Sequence, residues 1–141
     1  LTYPSVADEV EVVKATTSNK KVKVDKVLSA EDIAEFQELV RKVPVADNVI
    51  EYAVNLTNST RPHVSDSFKV ANEYLEWGAG PRASQYLVLG AKCNAILNGK
   101  YSPDIEDVRS IAKPVLRHRI VRNFKAEADG VGVDEIIQRL V

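Results

Sequence analysis

The sequence predicts a mainly α-helical bundle of five to six helices, with room for one small two-stranded sheet. Three observations predict it. Apolar residues recur at intervals of three and four along most of the chain. Those stretches open on Ser, Asp or Gly-Pro and close on Gly, Asn or Pro, the residues of helix ends. Alternation with the period of a strand is confined to short stretches.

The elements follow in order. Pro4-Ser5 opens the first helix, with Ser5 as cap and Asp8 and Glu9 in a first turn that favours negative charge. Val6, Val10 and Val13 form a narrow stripe, and the helix fades in Thr16-Thr17-Ser18-Asn19. Residues 20–27 alternate Lys and Val and read as a solvated edge strand, since edge strands commonly carry Lys. Ser29 caps a second helix, with Glu31 and Asp32 behind it and Ile33, Phe36, Val40 and Val43 as a face to bury; Pro44 ends it. Asp47 starts a third, carrying Val49, Ile50, Ala53, Val54 and Leu56 as far as the Thr57–Thr60 tract and Pro62. Residues 61–72 read as a loop with short helical turns, given polar caps by Ser65-Asp-Ser67.

Gly80 at the cap and Pro81 at the first helical position then make a sharp helix start. From Ala83 to Leu97 the run is apolar nearly all round, the mark of a central helix. Asn98-Gly99 stops it. Asp104 caps a fifth helix on Ile105, Val108, Ile111, Ala112 and Val115, which Pro114 allows only a short continuation. Ile120 to Phe124 reads as a short strand able to pair with 21–27. Gly130 and Gly132 are breaks, and Asp134 to Val141 closes the chain in a last helical turn or two.

Composition removes several classes of function. The chain has 141 residues, 45% of them apolar and 28% charged, which suits one domain with a real core. Nineteen basic against 20 acidic residues leave a net charge of −1, so global polyelectrolyte binding is not the expected function. No apolar run reaches the roughly 20 residues of a membrane span. One Cys permits neither an intrachain disulfide nor a Cys-based zinc cluster, and that usage fits the cytoplasm. The chain begins at Leu1 and has no Met, so it reads as a fragment of a longer protein.

The usual catalytic signatures are missing. There is no phosphate loop, no His-Glu-x-x-His helix, no Gly-x-Ser-x-Gly elbow and no dinucleotide-binding glycine turn. His63 and His118 stand 55 positions apart, too few ligands for an expected metal site. Cys93 lies in the apolar run and reads as a small buried hydrophobe. Asn55-Leu-Thr57 and Asn58-Ser-Thr60 match the glycosylation acceptor pattern by chance.

One residue carries chemistry. Arg82 stands at the second position of the central helix, where backbone N–H groups lack helical partners and the dipole is positive. A guanidinium there makes a phosphate-seeking corner, and Gly78-Ala-Gly80 keeps the approach open. The plainer reading is an arginine paired with a nearby carboxylate.

Residue order adds a resemblance. Trp77-Gly-Ala-Gly-Pro-Arg-Ala-Ser84 resembles the second-sensor motif of the MoxR family of AAA+ ATPases. Tyr3-Pro-Ser5 is similar to the segment after that family's arginine-finger region, and Val27-Leu-Ser-Ala-Glu-Asp32 to the start of its next lid helix. Asp107-Val-Arg109, Pro114-Val-Leu-Arg-His-Arg119 and Asn123-Phe-Lys-Ala-Glu-Ala128 resemble its C-terminal pattern. The resemblance spans most of the chain in order.

It implies that residues 1–141 are the C-terminal helical lid, an AAA+ lid-type bundle, with the ATPase core upstream of Leu1. The parent would be a ring-forming ATPase using ATP and Mg²⁺, with neighbouring subunits of a homo-oligomer as partners and a chaperone-like role on an unidentified client protein. The lid alone would hydrolyse nothing, and neither ATP nor a metal is expected in it. By position Arg82 is the second-sensor arginine, acting in cis or in trans on the ATP γ-phosphate. Gly78, Gly80 and Pro81 would shape its loop, and Tyr3 and Pro4 would lie near the hinge between core and lid at the nucleotide. The alternative is a free-standing helical module that binds nucleic acid or protein through basic segments 20–26 and 113–125. Near-neutral charge and the lack of interleaved aromatics weigh against nucleic acid.

Overall fold

Eight helices and two short strands run through the described residues of the computed structural model, which are 3–19, 23–66 and 68–141. In order they are α1 (Val6–Thr17), α2 (Ala30–Lys42), α3 (Asp47–Ser59), α4 (Lys69–Tyr74), β1 (Leu75–Trp77), α5 (Pro81–Leu97), α6 (Ile105–Leu116), β2 (Val121–Arg122), α7 (Phe124–Ala128) and α8 (Val133–Leu140).

The caps fall where the residue types put them. Ser5 accepts from the Asp8 N–H at the start of α1. Ser29 with Asp32, and Asp104 with Asp107, each close a reciprocal capping box on α2 and α6. Gly80 caps α5 with Pro81 in its first turn. Gly99 follows the end of α5 at φ +71, a left-handed conformation that glycine takes without penalty. Asn123 caps α7 by accepting from the Ala126 N–H.

Helix α5 is central and packs against α2, α3 and α6. Its buried line is Ala83, Leu87, Ala91 and Ala95, every fourth residue. Three alanines in that line let neighbouring helices come close. At Gly90 an added Cβ would lie 3.2 Å from Ile111 Cδ1 of α6. Leu56 of α3 and Val108, Ala112 and Leu116 of α6 meet this line, and Ile136 and Ile137 of α8 close the core beneath α4 and α6. The core comes from residues 49–137 of this chain, and among the described residues no buried side-chain nitrogen or oxygen lacks a hydrogen bond.

The mainly helical architecture with one two-stranded sheet is as expected, and four details differ. Two short helices, α4 and α7, join the six foreseen; each is too short for its periodicity to stand out. The strand at 120–124 forms as β2 but pairs antiparallel with β1, Leu75 opposite Arg122 and Trp77 opposite Val121. The proposed partner is not a strand over residues 23–27; its other residues, 20–22, lie outside the described set, as does Ser67. Leu75 supplies the reason: it is buried at the ribbon's root, whereas Val24 and Val27 are 85% and 89% exposed and have no core to face.

Third, the apolar stripe of α1 stays open, and that of α2 is only half-buried at Val40 and Val43, near the end that meets α5. Neither helix has a buried residue, and Val6, Val10, Val13, Ile33 and Phe36 are exposed. Periodicity marks a face able to bury and says nothing of where the partner is. Fourth, α5 buries one stripe and not its whole circumference, so Cys93 is exposed and not a buried hydrophobe.

Candidate functional site

The site is built where α5 begins. Gly80 adopts φ −81 and ψ 176, makes no side-chain cap, and hands the chain to Pro81 and then Arg82. The loop before it is fastened to the end of α3. Thr60 Oγ1 accepts from the Ala79 N–H at 2.9 Å and donates to the Thr57 carbonyl at 2.6 Å. Arg61 Nε donates to the Ala79 carbonyl at 2.9 Å, and its Nη1 donates to Asn58 Oδ1 at 2.6 Å. Both backbone groups of Ala79 are therefore held by neighbouring residues of one segment.

Gly78 permits that approach. A Cβ there would sit 2.4 Å from the Thr60 carbonyl oxygen and 2.6 Å from Arg61 Cα. Gly80 has nothing within 4 Å of such a position, so its role is that of a cap. Thr60 and Arg61 are functional candidates that sequence reasoning missed. The contact joins residues 19 apart, and the sequence shows only a polar helix end.

Arg82 is exposed, and its side chain forms no hydrogen bond or ion pair with another described residue, so the plainer expectation of a carboxylate partner is not met among them. It lines a hollow of about 610 Å³ between α2, α3 and α5. Ile50, Val54, Val88 and Leu89 give the hollow apolar walls. Arg41, Ser84 and Gln85 add polar groups, and among the described residues no acidic side chain lines it. Such a place suits an anion with an apolar portion.

The other expected site residues lie apart from it. Gly80 and Pro81 line an adjacent hollow with Trp77 and His63. Tyr3 and Pro4 precede α1, Tyr3 is 99% exposed, and neither lines the hollow at Arg82. Among the described residues no group of three His, Cys, Asp or Glu side chains is placed to hold a metal ion.

The basic segment 113–125 is largely engaged within the fold. Arg117 pairs with Asp134 at 2.9 Å, and Arg122 donates to the Val131 carbonyl at 2.9 Å. Lys125 pairs with Glu73, and the Arg119 guanidinium lies 5.1 Å from the centre of the Tyr86 ring. Lys125 holds the Glu73 carboxyl below the usual carboxylate range through that hydrogen bond. The Asp107-Val-Arg109 stretch is likewise structural. Asp107 is buried and accepts from Asn94, Lys100 and the Asp104 N–H. Arg109 donates to the Tyr52 hydroxyl at 3.0 Å, which donates in turn to the Val141 carbonyl.

A family model described as the AAA lid domain matches residues 67–140, just over half of the chain. The chain belongs to the AAA lid domain family. The lid is also similar over nearly its whole length to longer proteins. It is 27% identical over 140 residues to the chaperone MoxR1 of Mycobacterium tuberculosis, covering 99% of this chain and 37% of that protein. It is 25% identical over 140 residues to YeaC, an uncharacterised protein of Bacillus subtilis, covering 99% of this chain and 41% of the relative. A crystal structure of a protein from Cytophaga hutchinsonii, provisionally named an ATPase, superposes with a TM-score of 0.80 at 30% identity. It covers 99% of the lid and 43% of that protein. The lid is thus similar to one end-to-end stretch of these longer proteins and spans about two fifths of their length. Among the described residues no helix is long and apolar enough to cross a membrane.

Proposed function

We propose that the chain is the nucleotide-sensing and subunit-coupling lid of a MoxR-like AAA+ ATPase, with the catalytic core upstream in the same protein. The observation that carries this reading is Arg82: a guanidinium without a described partner, lining an acid-free hollow, on a loop fastened through Ala79. An uncompensated cation carried on a fastened backbone stabilises the charge on phosphate oxygens as a γ-phosphoryl group departs. ATP is the substrate whose phosphates Arg82 would face, in its own subunit or a neighbour's. Mg²⁺ would be held by the core, since no carboxylate lines the hollow.

The chain's own residues then have distinct tasks. Thr60 and Arg61 hold the loop, Gly78 lets it approach α3, and Gly80 and Pro81 aim the first turn of α5. Tyr3 and Pro4 serve as the hinge from the core. The exposed faces of α1 and α2 suit contact with the core or with neighbouring subunits of a ring homo-oligomer. The whole protein would use ATP to remodel or mature a client protein in the cytoplasm.

Steady-state ATP hydrolysis by the longer protein tests this. Arg82→Ala should lower kcat by about 10- to 10³-fold with the fold intact. An unchanged rate would make Arg82 a structural arginine and end the sensing role.

A further inference from the structure

The chain has eight arginines, and all of them are described. Six are engaged. Arg61 binds the Ala79 carbonyl, Arg109 the Tyr52 hydroxyl, and Arg117, Arg122 and Arg139 pair with acids. Arg119 bonds the Val115 carbonyl and lies over Tyr86. The two without a hydrogen-bond or ion-pair partner for their side chains among the described residues are Arg41 and Arg82, and both line the same hollow.

They come from different elements. Arg41 stands in the last turn of α2, and Arg82 in the first turn of α5. The α2 end is tied to α5 through Lys92, whose Nζ donates to the Arg41 carbonyl at 3.2 Å, so Arg41 is held at the backbone while its guanidinium has no partner among the described residues. Two guanidinium groups that line one hollow, with no acid among its lining residues, suit an anion able to reach both. Fork-shaped donors suit phosphate oxygens. The walls at Ile50, Val54 and Leu89 offer apolar surface to a base or ribose and would be wasted on a bare inorganic ion.

We propose that Arg41 is a second phosphate-binding residue, forming with Arg82 a two-arginine clamp for the polyphosphate of a nucleoside triphosphate. The inference rests on the reading of Arg82 as the phosphate-facing arginine and adds a residue from α2. It makes the α2–α5 junction, and not the Gly-Pro-Arg loop alone, the part of the lid that responds to nucleotide.

The 141-residue chain, which encloses its own core, is titrated calorimetrically at low salt with ATP and with inorganic tripolyphosphate. ATP should bind with a dissociation constant on the order of 1 mM, since two charge-assisted contacts are worth roughly that much, and more tightly than tripolyphosphate. Arg41→Ala and Arg82→Ala should each weaken ATP binding by about tenfold. Arg41→Lys should recover part of the loss. Lys113→Ala, which removes a cation that lines a different hollow, should change nothing. Circular dichroism of every variant confirms folding, which neither exposed side chain is needed to maintain.

If Arg82→Ala weakens binding and Arg41→Ala does not, the clamp is wrong and the reading of Arg82 stands. If no variant changes binding, or ATP does not bind, the clamp is wrong, and the hydrolysis assay alone decides the role of Arg82. Equal affinity for tripolyphosphate and ATP would refute a nucleoside ligand.

Discussion

Replacing Gly78 by Ala should be the most damaging single-methyl change in the loop that carries Arg82. The new Cβ would lie 2.4 Å from the Thr60 carbonyl oxygen, 2.6 Å from Arg61 Cα and 2.7 Å from the Thr60 carbonyl carbon. All three are backbone atoms, so no side chain can swing aside. The loop must move away from α3, which strains two hydrogen bonds to Ala79. One is neutral, from the Ala79 N–H to Thr60 Oγ1; the other carries the Arg61 charge to the Ala79 carbonyl. Such bonds are worth about 1 and about 2 kcal/mol, and overpacking adds about 1–3 kcal/mol. Partial relaxation leaves an expected loss of about 3 kcal/mol. A domain of this size loses roughly 3 °C per kcal/mol, so Tm should fall by about 10 °C. The control is Gly80→Ser, where nothing lies within 4 Å and serine is a preferred cap; its Tm should hold or rise slightly. Thermal and urea unfolding of both variants make the comparison. Equal stability of the two would refute the close approach at Gly78, and with it the account of how the Arg82 loop is held.

Three further outcomes follow from burial and charge. Leu87→Ala should cost about 2–5 kcal/mol in urea unfolding, because Leu87 is fully buried in the α5 line. Leu97→Ala on the same helix should stay within about 0.5 kcal/mol, since Leu97 is 85% exposed. The hydrogen bond from Lys100 is the main cause that lowers the Asp104 carboxyl below its ordinary value, followed by the backbone N–H of Asp107. That contribution is fully present above the unfolded carboxylate pKa, near 4, and is lost as pH falls through the lower folded value. The Lys100 ammonium is raised by the Asp104 and then the Asp107 hydrogen bonds, so its share is lost only as pH rises through its higher folded pKa. Lys100→Met should therefore shrink the loss of urea midpoint below about pH 4, and an unaltered acid limb would contradict the assignment. Cys93 should react with a thiol reagent under native conditions, and protection of more than about tenfold relative to unfolded chain would restore it to the interior.

Legibility varied with the range of the interaction. Ser5, Ser29, Asp104, Gly80-Pro81 and Gly99 act within four residues of themselves, and each marked a helix end correctly. The exposed stripes on α1 and α2 were visible as apolar faces, yet periodicity carried no information about a covering partner. Cys93 was misplaced because composition alone made α5 look buried all round, while packing chose the alanine line. Helices α4 and α7 span six and five residues, under two turns, too few to show a period.

The candidate site divides in the same way. Arg82 was legible because a helix start is a local event and a guanidinium beside it has an evident use. Thr60 and Arg61 were not, because their bonds to Ala79 close a gap of 18 and 19 residues. Nor was Arg41, which reaches the hollow only once α2 has settled against α5.

By itself, then, the sequence determined the six longer helices, most of their caps, the family resemblance and the arginine at the head of α5. The tertiary structure decided which segment pairs with β2, which face of α5 is buried, and which arginines are left without side-chain partners among the described residues. Caps and periodicity depend on neighbours a few bonds away. Pairing and burial depend on which distant segment reaches a given surface first and fills it, and that is settled only when the whole chain packs.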